Sequence, residues 1–221
     1  MVLVGALRTV VALGAAVALL PVQTGTITGR VMQPDVPMSS ASRPSVGAIG
    51  STGHDPIDRR TAVVYLDTGL LQAFEAMPSR RARMDQRREQ FSPHVLAVTA
   101  GTVVDFPNND LLFHNVMSLA PGNAFDLGRY PKGQSRSVRF ATPGIVPIIC
   151  DIHAHMSAYV LVFSHPFFSV TDAQGRYTLA NVPPGTHTVK VWSELGVAEP
   201  RRVTVGAGVV DADFRVERQA R

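Results

Sequence analysis

Residues 148 to 160, IICDIHAHMSAYV, place the chain's one cysteine, two of its seven histidines and a methionine within seven positions. The rest of the run is rich in Ile, Val and Tyr, which suit strands. Cys150, His153 and Met156 stand in the pattern C-x2-H-x2-M, so one short loop offers a thiolate, an imidazole and a thioether. Such a set suits copper, whose blue form takes two histidine nitrogens and one cysteine sulfur in a plane with a weak axial methionine. The loop is one histidine short of that set. His114, in FPNNDLLFHNV, stands where a strand-like run resumes after an Asn-Asn-Asp turn, and two strand ends meeting at one pole would complete it. A lone buried cysteine is also a common inert thiol, so the weight falls on the combination.

The elements that must position these residues read as strands and turns. GTITGRV (25 to 31) and TAVVYLD (61 to 67) are β-rich, and a Pro, Ser and Gly-rich stretch from Gln33 to Asp58 between them reads as a long loop. HVLAVTAGTVVDF, SRSVRFA, GIVPIIC and SAYVLVF follow as short apolar or alternating runs bounded by Gly, Pro or Asn, the pattern of an antiparallel sandwich or barrel. Two further strands flank the Pro-Pro-Gly turn of residues 170 to 194, and a last pair lies in 201 to 216. An all-β fold is expected. The segment Arg80 to Glu89 carries five arginines against Asp85 and Glu89 and reads as a solvated, mostly helical connector.

Met1 to Val22 is almost wholly apolar with an early Arg8, as in a secretory signal, and its uncharged run falls short of a membrane-spanning helix. The expected location is therefore periplasmic or secreted, with no stable membrane insertion once the signal is removed. In that oxidising setting cysteines normally pair, and Cys150 has no partner in the chain. The net charge of +4 is local, since residues 91 to 165 hold four basic and four acidic side chains. No basic face with reading elements marks a nucleic-acid partner.

With the ligands placed, residues 91 to 165 resemble the cupredoxins, through FPNND with FHNV and then CDIHAHM, and the loop spacing is similar to that of the amicyanins. The resemblance implies a Greek-key β-sandwich or barrel in which His114, Cys150 and His153 bind one type 1 copper in its plane and Met156 binds axially. It implies that the backbone N–H of Asn115 helps to hold the Cys150 sulfur, and that His153 is the ligand nearest the surface, ringed by apolar residues including Leu111, Leu112, Phe113 and Ala154. Ala154 stands where relatives often carry proline, and His155 is an additional histidine that the family register leaves without a metal.

VTDAQGRYTLANVPPGTHTVKVW resembles the later strands of a carboxypeptidase-regulatory-like, or transthyretin-like, β-sandwich, whose opening strands are similar to GTITGRV and TAVVYLD. The expected layout is a signal over 1–24, a sandwich split into 25–75 and 166–217, a connector over 76–90 and a cupredoxin inserted at 91–165. This layout looks like that of exported methylamine-utilisation or plastocyanin-like proteins. The resemblance implies an electron carrier rather than an enzyme, cycling between Cu(I) and Cu(II) with a redox partner such as a periplasmic c-type cytochrome or a dehydrogenase. Copper storage or delivery, and an envelope binding module with structural copper, are the alternatives.

Overall fold

The computed structural model describes residues 23–35, 59–67 and 80–218. The expected signal up to residue 22 and most of the Pro, Ser and Gly-rich stretch lie outside the described residues. No helix among the described residues is long and apolar enough to cross a membrane.

The architecture is all-β. The chain begins with β1 (Gly25–Met32) and β2 (Ala62–Leu66). A middle run follows: β3 (Arg81–Arg83), β4 (Asp85–Arg87), β5 (Gln90–Ser92), β6 (Val95–Thr99), β7 (Thr102–Pro107), β8 (Met117–Ser118), β9 (Phe125–Asp126), β10 (Ser135–Phe140), β11 (Gly144–Ile149) and β12 (Ser157–Phe163). It ends with β13 (Phe168–Val170), β14 (Arg176–Val182), β15 (Gly185–Ser193), β16 (Gly196–Val197), β17 (Arg201–Val205), β18 (Gly208–Asp211) and β19 (Phe214–Arg215).

The first strands pair with the last. β1 lies antiparallel to β14 and parallel to β18 and β19, while β2 sits between β13 and β15. The two sheets so formed close over one apolar core that includes Ile27, Leu66, Tyr177, Leu179, Val189 and Phe214. The middle run builds its own pair of sheets, β10-β7-β3 and β6-β12-β11-β8-β9. Their core holds Phe106, Phe140, Val146, Ile148 and Val160. Parallel pairings of β12 with β6 and of β3 with β7 show that the chain crosses over between strands rather than meandering.

The places where the chain leaves the first core and returns to it are neighbours. Tyr65 pairs with Phe168, and the Leu66 N–H donates to the Phe167 carbonyl at 3.1 Å. A third apolar cluster, centred on Val63, Val95 and Leu161 with Tyr159, Phe163, Phe168 and Trp192 packed against it, joins the two pairs of sheets. Beside it, His94 Nδ1 donates to the Ser157 carbonyl at 3.0 Å, and its Nε2 meets the Glu194 carboxylate at 2.7 Å. Trp192 lies 5.0 Å from Tyr159, ring centre to ring centre, in this joining layer.

One sequence expectation is corrected. Arg81–Arg83 and Asp85–Arg87 are strands, not a helical connector. Arg81–Arg83 pairs with β7 in parallel register, and Met84 is fully buried in the middle core. The arginines point outward and meet carboxylates, Arg81 at Asp105 and both Arg83 and Arg87 at Asp85. Burial of Met84 and a ladder of backbone bonds outweigh the helix propensity of Arg, Met and Gln.

Candidate metal centre

Strand β11 ends at Ile149, β12 starts at Ser157, and these two residues are register partners. The intervening loop is closed by its own backbone: the Cys150 N–H donates to Met156 O at 3.2 Å and the Met156 N–H to His153 O at 2.9 Å. Ile149 also pairs with Met117 of β8, which draws the segment around His114 beside Cys150.

His114 is set by the turn before it. Asn108, fully buried, accepts the Asp110 N–H on Oδ1 at 2.9 Å, the side-chain turn that Asn favours. Its Nδ2 donates to the carbonyls of Leu112 and Tyr130, both at 2.9 Å. His114 and Tyr130 exchange backbone hydrogen bonds of 3.3 and 3.0 Å. The Tyr130 hydroxyl donates to Phe106 O at 2.8 Å and accepts from Gln86 Nε2 at 2.7 Å; burial pushes this phenol up to about 12. A buried polar lattice thus holds the backbone of His114 still.

His114, Cys150 and His153 converge, with one ligand atom from each lying within 4.8 Å of the others. The two Nδ1 atoms are 3.0 Å apart. His114 is fully buried and Cys150 is 4% exposed, whereas the His153 side chain is 19% exposed and forms the site's outer edge. Met156 is buried within the same apolar cluster as Cys150. Burial pushes the Cys150 thiol up, but hydrogen bonds from His114 and from the N–H groups of Asn115, His153 and Ile152 outweigh it and bring the thiol down to about 6. Burial likewise disfavours charge on His114, and its Cys150 and Asp110 partners overcome this and raise it.

His114, Cys150 and His153 therefore converge on one centre, Met156 is buried in the apolar cluster that holds Cys150, and the Asn115 N–H reaches the sulfur. Two inward imidazole nitrogens and a thiolate that forms near neutral pH fit a copper ion. His155 stands outside, its side chain 49% exposed and its Nε2 3.3 Å from the Glu89 carboxylate. Leu111, Leu112 and Phe113 are exposed beside the site. Sequence reasoning missed Asp110, whose Oδ2 lies 2.9 Å from His114 Nε2, and Glu89, whose carboxylate lies 3.9 Å from His153 Nε2. The spacing D-x3-H was visible for the first, but nothing local marked the second.

Fold and site together define an all-β protein with a buried two-histidine, one-thiolate centre. No family model matches the chain. In sequence it is similar to amicyanin-alpha of Methylorubrum extorquens, 29% identical over 105 residues that cover 46% of this chain and 88% of that protein. Among solved structures, a purple cupredoxin from Nitrosopumilus maritimus is 22% identical, covering 37% of this chain and 98% of that one with a TM-score of 0.34. A copper-containing nitrite reductase from Thermus scotoductus is 24% identical, covering 46% of this chain and 25% of the enzyme with a TM-score of 0.36.

Proposed function

We propose that the middle of this chain is a cupredoxin domain holding one type 1 copper through His114, Cys150, His153 and Met156, and that the exported protein carries single electrons between periplasmic redox partners such as a c-type cytochrome and a dehydrogenase. The observation that carries the reading is the convergence of two Nδ1 atoms and a low-titrating thiol inside a packed core. Bound copper would supply one-electron chemistry between Cu(I) and Cu(II). The chain's part is to keep the donors in place: Tyr130 locks His114, and the closed loop locks Cys150, His153 and Met156. Donors that move little on electron transfer favour fast exchange, whereas an enzyme needs an open metal position for substrate. With His114 and Cys150 buried, only the His153 edge is reached from outside. Leu111 at 81% exposure and Phe113 at 57% provide an apolar rim suited to brief docking.

The same reading covers the layout. The described strands within 25–75 and 166–217 belong on this reading to one transthyretin-like sandwich with the cupredoxin inserted in it, supported by the separate cores and by the Leu66 to Phe167 hydrogen bond.

The test is addition of Cu(II) to reduced, metal-free protein, followed by ascorbate and reoxidation. An intense thiolate-to-copper band that bleaches and returns, and that Cys150→Ser removes, is expected. Stoichiometric copper without such a band would favour storage or delivery and end the carrier reading.

A further inference from the structure

Both histidines turn Nδ1 inward, which leaves each Nε2 on the outside, and each of these faces a carboxylate. His114 Nε2 lies 2.9 Å from Asp110 Oδ2, and His153 Nε2 lies 3.9 Å from Glu89 Oε2. The two acids are linked, because Asp110 Oδ2 also accepts the Glu89 backbone N–H at 2.6 Å. Asp110 Oδ1 accepts the Leu111 N–H at 2.8 Å, and the Asp110 N–H goes to Asn108 Oδ1 at 2.9 Å, so the carboxylate has one settled orientation. Arg88 and Glu89 adopt left-handed φ values of 51° and 55°, which bends the β4–β5 turn so that Glu89 lies over the histidines. The Asp110 side chain is only 13% exposed. A negative charge there is weakly screened and acts strongly on its neighbour.

A carboxylate that accepts the outer N–H of a metal-bound histidine fixes its tautomer and makes its inner nitrogen a more basic donor. Basic donors and nearby negative charge favour the more highly charged metal ion. We propose that Asp110, tied to Glu89, is a positioning residue that holds His114 with Nδ1 toward the metal and biases the centre toward Cu(II) over Cu(I). The inference rests on the copper reading above and deepens it: the chain would serve as a comparatively reducing carrier for a site with this ligand set.

Asp110→Asn keeps the size of the side chain and removes its charge. Spectroelectrochemical titration should show the thiolate-to-copper band retained and the preference for Cu(II) over Cu(I) reduced about tenfold, a rise in midpoint potential of about 59 mV. Glu89→Gln, on a turn at the surface, should move the potential in the same direction by a smaller amount, and it keeps the test informative if Asp110→Asn does not fold. In the Cu(I)-loaded wild type, a slowly exchanging His114 Nε2–H resonance should be seen by NMR. A reversible wild type whose potential neither substitution shifts would overturn this inference alone. A wild type with no reversible band would overturn the carrier reading and this inference with it.

Discussion

The neighbours of Cys150 favour its thiolate, the form that the proposed metal centre needs. Three backbone N–H groups and His114 point at its sulfur and outweigh the burial that would keep it protonated. Because the thiol is lowered from 9.0 to about 6, metal-free protein titrated downward from pH 9 should keep its ultraviolet thiolate absorbance until near pH 6. Loss of that absorbance near pH 9 would contradict the arrangement. In the proposed centre Met156 would act differently, as a weak donor that tunes rather than holds. Met156→Leu should retain the band but favour Cu(I) at least tenfold, about 59 mV in potential; a lower potential would count against axial binding by its sulfur. The proposed ligands were legible because three of them share one loop and the lone cysteine called for a purpose. Asp110 and Glu89 were not, since carboxylates on surface turns are common and their relation to the histidines arises only when β4, β5 and the turn after β7 meet.

At the scale of elements, the arginine-rich segment shows how a sequence misleads. Arg, Gln and Met favour helices, and the charge density suggested a solvated surface. Yet Ala82, Met84 and Gln86 recur with period two and face inward, while Arg81, Arg83 and Arg87 face solvent. That alternation over so few residues is easily lost beneath propensity. Met84 ties β3 and β4 into the middle core, so Met84→Ala should cost about 2–5 kcal/mol in chemical denaturation. A loss of a few tenths would restore the connector view. The strands around the site were readable from their apolar runs and Gly or Asn boundaries, but the parallel pairings of β6 with β12 and β3 with β7 were not, because pairing partners far apart leave no local mark.

At the scale of the molecule, the proposed split sandwich was suggested by missing strands: a later half without its opening, and an opening without its later half. Since Tyr65 pairs with Phe168 and the Leu66 N–H meets Phe167 O, a hairpin turn of about two to five residues can replace everything between Asp67 and Phe167. The shortened protein should fold, with dispersed NMR resonances and one cooperative unfolding transition; a disordered product would mean that the sandwich depends on its guest. The Leu66 to Phe167 hydrogen bond has a further consequence. About 100 residues leave and return at points held side by side, whereas an unfolded chain of that length would separate its ends by roughly 50–60 Å. An unfolded insert therefore acts as an entropic spring prying at β2 and β13, with a closure cost of about 4 kcal/mol. Whatever keeps the insert folded, a bound metal included, slackens that spring, and a chelator would weaken the sandwich without ever touching it.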